Sequence, residues 1–395
     1  MIPRHAEATA RRLAGFYPIV AITGPRQAGK TTLAKGVFPG KPYVSLEDPD
    51  ARDFALADPR GFLAEYPDGA VLDEAQRCPE LFSYLQTRVD GDRRMGLFVL
   101  TGSQQFGLLA GISQSLAGRV GLVHLLPFSQ AELAEAGQAT DLDALLWQGL
   151  YPSIYDRNIP PHVWYADYVA TYVERDVRQM VNVRDLNAFR RFVRMCAART
   201  AQPVNYSALA ADCGITYNTA KAWISILEAS YLVMLLPPHH RNFGKRLSKT
   251  AKLYFYDSGL AAWLAGVESP KQLALGSLRG PLFETWVVSE FVKYRCNRAL
   301  APRLYYWRDN SGHEIDLLIE KGEHLFPVEI KSGKTIAGDW FGTLRKFAGW
   351  SGEAGGGLIY GGSQRQTRHD IEVFGWKDVA AAAELALAGS KGSSD

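Results

Sequence analysis

The apolar stretch Tyr17–Thr23 is too short and too unbroken for an amphipathic helix. It runs straight into Gly24-Pro25, so it predicts a buried strand. The pattern recurs at Ala70-Val71-Leu72 before Asp73-Glu74, at Leu97-Phe98-Val99-Leu100 before Thr101-Gly102-Ser103-Gln104, and at Val120–Phe128. Small or charged polar residues at the end of such runs suit the carboxyl edge where open parallel sheets bind ligands. Helices are expected to open at Thr31-Thr32-Leu33-Ala34 and to span Gln105–Ala117, the latter stopping at Gly118-Arg119. From Phe128 to Arg199 the period becomes helical, punctuated by Pro152 and Pro160-Pro161. Asn205–Lys221 has the rhythm of a helix-turn-helix: Leu209 and Ala210 inward, Gly214 in the turn, Ile215 in the elbow, Thr216 as cap. Ile226–Val233 then leads through His239-His240-Arg241-Asn242-Phe243-Gly244-Lys245-Arg246 to a strand at Leu253–Tyr256, so a helix pair followed by a basic hairpin reads as a winged helix. His239 and His240 are expected to be solvent-exposed in that wing. Farther on, Gly280–Val292 predicts an amphipathic helix, and Leu304–Arg308, Glu314–Glu320 and Leu325–Ser332 predict strands. No internal repeat is visible, and the Gly/Ser-rich end from Gly389 reads as disordered.

At 395 residues, with 47% hydrophobic and 22% charged residues, the chain has room for two or three cores and is not a disordered protein. Its best apolar run, Tyr231–Pro238, falls far short of the ~20 residues of a membrane span. Met1-Ile2-Pro3-Arg4-His5-Ala6-Glu7 places charges where a secretion signal would be apolar, so a cytoplasmic location and no membrane partner are expected. Cys78, Cys196, Cys213 and Cys296 lack any CxxC spacing and read as small buried hydrophobes. The net charge of +3 conceals an uneven distribution. Glu174–Lys252 carries thirteen Lys/Arg against five acids, a local +8 that fits either a polyanion-binding module or a solvated helical face.

Gly24-Pro25-Arg26-Gln27-Ala28-Gly29-Lys30-Thr31 matches the GxxxxGK[ST] phosphate loop at every fixed position. Gly24 and Gly29 let the backbone amides turn toward phosphate, Lys30 reaches the terminal phosphates, and Thr31 ligates Mg²⁺. The helix opening at Thr31-Thr32 adds its positive end. Asp73 is placed to hold the metal through water, and Glu74 to orient the attacking water. Ser103 or Thr101 is placed to sense the terminal phosphate. Arg119 is a candidate for stabilising transition-state charge on a neighbouring subunit's nucleotide, its alternative being a plain salt bridge. With Leu126-Pro127-Phe128-Ser129-Gln130-Ala131-Glu132, Gly149-Leu150-Tyr151-Pro152 and Lys252–Leu260, this set resembles the prokaryotic AAA-type ATPases of the AAA+ superfamily that carry a C-terminal domain of unknown function. The resemblance implies an α/β fold with a P-loop core, ATP and Mg²⁺ as cofactors, and a homo-oligomeric ring, a hexamer being one form, with Arg119 acting in trans. A helical lid would follow the core, in which Arg175 and Arg178 either touch phosphate or lie on an ordinary helix surface.

Glu284 on the helix, Asp316 on one strand, and Glu329 and Lys331 on another form a hard-oxygen set with a cation beside it, which is what metal-assisted phosphodiester hydrolysis needs. Alternation places Glu329 and Lys331 on one strand face. The order resembles the PD-(D/E)xK nucleases, whose restriction-endonuclease-like α/β fold it implies. The usual proline is missing, since His313-Glu314-Ile315 precedes Asp316. Glu284, Asp316 and Glu329 would hold Mg²⁺, or Mn²⁺ in its place. The expected layout is a core at 1–130, a lid at 131–200, a winged helix at 201–256, a nuclease-like domain at 257–386 and a tail at 387–395. In the winged helix Tyr217, Asn218, Thr219 and Lys221 would face a DNA groove, and Arg241, Lys245 and Arg246 would meet phosphate. The expected function is ATP hydrolysis coupled to DNA cutting, in processing, repair, mobile-element or defence roles. The alternative is a regulatory ATP switch whose nuclease-like domain is inactive and binds protein or DNA.

Overall fold

The computed structural model describes residues 2–103, 105–138, 140–173, 185–241, 249–353 and 355–388. It forms two compact units. The first comprises Met1–Phe128, Ala229–Tyr231 and Arg295–Ala301; the second comprises Ser129–Glu228, Leu232–Tyr294 and Pro302–Asp395.

In the first unit, β1 (Ile19–Thr23), β2 (Tyr43–Ser45), β3 (Val71–Asp73), β4 (Phe98–Gly102) and β5 (Val120–His124) form a parallel sheet in the order β2-β3-β4-β1-β5. The unbroken apolar runs follow from coverage on both faces. Ile19 and Ala21 pack with Leu72, Leu100, Phe62 and Phe82, while Val20 and Ile22 pack on the other face with Leu33, Ala34, Val71 and Val99. Burying each of the Ile, Val, Leu and Phe side chains stabilises by about 1.5–3 kcal/mol. β5 is shorter than expected: it ends at His124, and the next amide, Leu125 N–H, turns to donate to the Thr23 carbonyl at 2.8 Å.

In the second unit, the helices Gln130–Glu135, Leu142–Gln148, Pro152–Asp156 and Pro161–Tyr168 occupy the stretch with helical spacing. Asp257, 1% exposed, joins the Gly149–Pro152 and Lys252–Leu260 motifs. Its carboxylate accepts from Leu150 N–H (2.7 Å), Leu260 N–H (2.8 Å) and the Tyr165 hydroxyl (2.6 Å). Gly149 is required there, because a Cβ on it would lie 2.1 Å from the Tyr165 hydroxyl oxygen. Next come the helix Leu186–Ala198, β6 (Gln202–Pro203), the helices Tyr206–Cys213 and Tyr217–Ala229, β7 (Val233–Leu236) and β8 (Lys252–Phe255). The three strands make an antiparallel sheet in the order β6-β8-β7. Gly214 takes the left-handed turn (φ +68°), and Thr216 Oγ1 caps the second helix by accepting from Thr219 N–H at 3.1 Å. His239 departs from the expectation of exposure. It is 8% exposed, its N–H donates to the Tyr306 carbonyl at 2.7 Å, and burial lowers its imidazole pKa despite nearby Glu320. His240 is exposed as expected.

The C-terminal sheet contains β9 (Leu304–Arg308), β10 (Glu314–Lys321), β11 (His324–Lys331), β12 (Gly356–Tyr360), β13 (Gln366–Arg368) and β14 (Ile371–Gly375), in the order β13-β14-β12-β11-β10-β9. β9, β10 and β11 form an antiparallel meander; β11 and β12 are parallel, with the helix Gly342–Ser351 in the crossover between them. The helix expected to be amphipathic, Arg279–Cys296, is instead buried on most of its circumference. Its interior charges make this tolerable: Lys293 pairs with Glu290 at 2.9 Å, and Glu290 also accepts from Gln130 N–H. Cys78, Cys196 and Cys213 are buried, Cys296 is half-buried, and all four are free thiols. Among the described residues, no helix is long and apolar enough to cross a membrane.

Candidate functional site

The loop Gly24–Gly29 joins β1 to the helix Lys30–Val37 at the carboxyl edge of the parallel sheet. Two glycines are dictated by geometry. A Cβ on Gly24 (φ +148°) would sit 2.0 Å from the Leu125 carbonyl oxygen, and Gly29 (φ +90°) is left-handed at the helix entry. Lys30, 6% exposed, folds its Nζ back onto the Gly24 and Pro25 carbonyls at 3.1 and 2.7 Å. Asp73 is surrounded by hydroxyls: Thr31 Oγ1 donates to its Oδ2 at 3.0 Å, Tyr43 donates to the same oxygen at 2.7 Å, and Thr101 donates to Oδ1. Burial first, then the hydrogen bond and charge of Asp73, raise the Tyr43 pKa. Glu74 sits in the left-handed region (φ +55°), a strained conformation for a non-glycine residue. Its Oε2 accepts from Ser103 Oγ at 2.9 Å and from Gln76 Nε2. The glycine cradle, the lysine and a carboxylate–hydroxyl pair fit a nucleotide with its Mg²⁺.

A second polar cluster lies within the second unit. The Lys252 ammonium, its side chain 3% exposed, meets Glu284 Oε1 at 2.9 Å and also Glu314 Oε1. Tyr254 donates to Glu284 Oε1 at 2.6 Å. Asp316 Oδ2 accepts from Ile330 N–H at 2.8 Å, and Lys331 Nζ pairs with Glu329 Oε1 at 2.5 Å. Among the described residues, Glu329 Oε2 is buried without a hydrogen-bond partner. Burial, then the negative charge of Asp316, pushes Glu329 up to about 8 and Glu284 to about 7; burial likewise raises Asp316. Burial alone would lower the Lys252 pKa, but Glu284, Asp316 and Glu314 outweigh it and raise it, keeping the ammonium charged. Glu284, Asp316, Glu329 and Lys331 are thus brought into mutual electrostatic reach. Where Mg²⁺ or Mn²⁺ is expected, Glu284 and Glu329 are each engaged by an ammonium group, Lys252 and Lys331. Among the described residues no three His, Cys, Asp or Glu side chains are disposed to hold a metal ion in this arrangement.

Residues 17–134 match the AAA domain family, residues 139–271 a domain of unknown function (DUF8612), and residues 279–379 another (DUF4143). The chain is 33% identical over 335 residues to "Uncharacterized protein Rv2008c" of Mycobacterium tuberculosis (strain ATCC 25618 / H37Rv), a match covering 84% of this chain and 74% of the relative. "Uncharacterized protein Mb2031c" of Mycobacterium bovis (strain ATCC BAA-935 / AF2122/97) matches with the same figures. The chain belongs to their family. Its first unit contains an AAA domain with the parallel sheet of a P-loop ATPase core. Among solved structures, the Walker-type ATPase PABY2304 of Pyrococcus abyssi is 14% identical, with 67% of this chain and 96% of that chain covered and a TM-score of 0.45. AMPPCP-bound DnaA from Aquifex aeolicus is 15% identical, with 56% and 85% covered and a TM-score of 0.30.

The sheet brings Gly24–Thr32, Asp73, Glu74, Thr101 and Ser103 together at one edge in this family member. Arg119 lies at the opposite edge, immediately before β5. It pairs with Asp90 through Nε (2.6 Å) and Nη2 (2.8 Å), the salt-bridge alternative. On the helix Tyr217–Ala229, Tyr217, Asn218 and Lys221 are exposed, while the Thr219 hydroxyl is engaged with Thr216 at 2.8 Å. Arg241 donates to the Glu323 carbonyl at 3.2 Å. Arg175, Arg178, Lys245 and Arg246 lie outside the described residues. The sequence assigns no site role to several participants. Arg4 donates to the Ala28 carbonyl at 2.8 Å and to the Leu126 carbonyl at 2.6 Å, bracing the phosphate loop. Tyr231 OH lies 2.9 Å from Thr23 Oγ1 and 3.0 Å from His124 Nδ1. Lys252, Tyr254 and Glu314 complete the acidic cluster. No spacing rule links these residues to their targets, although a lysine directly before Leu253-Tyr254-Phe255, in a strand otherwise apolar, is a usable signal.

Proposed function

We propose that the chain is an ATP-hydrolysing switch that acts on DNA. The observation that carries the ATPase reading is the paired carboxylate arrangement at the sheet edge, with Thr31 and Thr101 on Asp73 and Ser103 on Glu74. Thr31 and Asp73 would hold Mg²⁺, which when bound neutralises phosphate charge. Gly24–Thr31 would wrap the phosphates, drawing Lys30 off the loop carbonyls. Glu74, aimed by Ser103 and Gln76, would orient a water and take its proton. The test is hydrolysis of Mg-ATP by the full chain: Lys30→Ala should abolish nucleotide binding and turnover together, and binding unchanged in that variant would sink the reading.

The exposed Tyr217, Asn218 and Lys221 on one helix, within the segment of net charge +8, support DNA as the partner of a winged helix at 201–256. Duplex affinity should fall steeply with salt, and Lys221→Ala should flatten that dependence; salt-independent binding would refute it.

A second reading, DNA cutting by a nuclease-like domain, is favoured by one observation. Glu284, Asp316 and Lys331 act electrostatically on Glu329, whose buried Oε2 lacks a hydrogen-bond partner among the described residues. Incubating labelled junctions, flaps and single strands with Mg²⁺ or Mn²⁺, with and without ATP, tests it. Cleavage lost in Asp316→Ala supports cutting, and intact ATP turnover without cleavage supports the switch alone.

A further inference from the structure

The carboxylates of the C-terminal cluster already have a cation, and it comes from outside the motif. Lys252 lies on β8, 32 residues before Glu284, and reaches into the cluster with a side chain 3% exposed. An ammonium is buried to this extent only when paired, because desolvating it alone is prohibitive. Its partners are Glu284 Oε1 at 2.9 Å and Glu314 Oε1, with the Tyr306 ring 5.5 Å from its Nζ. Tyr254, two residues along the same strand, donates to the same Glu284 oxygen, so β8 occupies that oxygen twice. On the far side of the cluster, Glu329 is 6% exposed and has one oxygen on Lys331 and the other without a partner among the described residues. The cluster is therefore satisfied on the Glu284 side and unsatisfied on the Glu329 side. A divalent ion bridging the two would have to approach a carboxylate that a fixed positive charge already holds, and like charges at such range repel strongly in a buried site.

We propose that Lys252 is a built-in cation that keeps divalent metal out of the Glu284–Asp316–Glu329 cluster, so that the cluster takes metal only when the lysine is withdrawn. The proposal rests on the nuclease-like reading of the cluster for its purpose, but not for its test.

The probe is Mn²⁺ alone, with bound ion measured from the loss of the free-ion electron paramagnetic resonance signal. The full chain is used without nucleotide, on an Asp73→Asn background so that the phosphate loop contributes no metal. Lys252→Met should bind Mn²⁺ at least about tenfold more tightly than the parent, and Lys252→Arg, which keeps the charge, should bind like the parent. Adding Asp316→Asn to Lys252→Met should remove the gain. Equal affinity in Lys252→Met and parent, or a gain that survives Asp316→Asn, overturns the proposal. Should Lys252→Met fail to fold, Lys252→Gln removes the charge but keeps a hydrogen-bond donor for Glu284. It should tighten Mn²⁺ severalfold, and no change there overturns the proposal equally. DNA cleavage is read separately. Metal bound by Lys252→Met without cleavage removes the nuclease reading and leaves the proposal standing, whereas cleavage by the parent with no tightening in Lys252→Met does the reverse.

Discussion

The two acidic sites of this chain solve the same problem with opposite chemistry. At the phosphate loop, Asp73 and Glu74 are held by neutral donors, the hydroxyls of Thr31, Tyr43, Thr101 and Ser103 and the amide of Gln76. In the C-terminal cluster, Glu284 and Glu329 are held by ammonium groups, those of Lys252 and Lys331. A hydroxyl orients a carboxylate and leaves its charge available to a metal or a proton, whereas a lysine orients it and cancels the charge. The first site is thus poised for an incoming cation, and the second already carries its cations.

The same substitution made in both places should separate them. Glu74→Gln keeps an acceptor for Ser103 but cannot take a proton, so ATP hydrolysis should fall by about a hundredfold or more while nucleotide binding persists. Glu329→Gln should leave ATP turnover unchanged. Steady-state hydrolysis of both variants checks the pair, and equal losses would erase the distinction. A smaller effect is expected from Thr101→Val, which removes one neutral donor from Asp73. Losing a hydrogen bond to a charged group costs about 1.5–3 kcal/mol, so turnover should drop by about tenfold or more, with the loss partly restored at high Mg²⁺. A magnesium titration of the rate reads this directly.

Much of the first site is legible in the residues themselves. The parallel sheet leaves a trace in each strand because both faces of β1 are covered, so Ile19, Val20, Ala21 and Ile22 are all apolar. The loop leaves a trace because Gly24 and Gly29 have steric reasons to be glycine. The second site is only half legible. Glu284, Asp316, Glu329 and Lys331 have an order along the chain, but Lys252 reaches them from another sheet, and a lysine gives no local sign of where its amine ends. The segment Gly280–Val292 looks amphipathic in the sequence because its two carboxylates, Glu284 and Glu290, resemble a solvent face. Glu290 is instead neutralised by Lys293, three residues on, and both go inside. His239 misleads for a similar reason, since its burial depends on the backbone of Tyr306, far along the chain.

The pH dependence of folding offers a subtler test. Burial and then Asp316 raise Glu329 to about 8, and burial and Asp316 raise Glu284 to about 7, from an ordinary carboxyl value near 4.5. The native chain therefore holds protons that the unfolded chain releases. Stability from these groups is full below about 4.5 and is lost as pH rises toward 8. The melting temperature should decline from pH 5 to pH 8, and Glu329→Gln should flatten the decline and melt above the parent at pH 8. A parent curve that rises across that range would contradict the assignment, as would a variant with an unchanged slope.

The smallest effect is expected where carboxylate and cation meet in water. Arg119 and Asp90 form a two-point pair, but their side chains are 32% and 47% exposed, so the charges are screened and little folding energy depends on them. The pair also lies at the sheet edge opposite the phosphate loop of the same chain. Within a single chain, Arg119→Ala should therefore change ATP turnover by no more than about twofold at low protein concentration, where the arginine stays on Asp90. Rates measured across a wide concentration range decide the matter. Turnover per chain that climbs with concentration in the parent and stays flat in Arg119→Ala would show that the arginine is released from Asp90 on assembly, and that even this exposed pair is held in reserve for a neighbour.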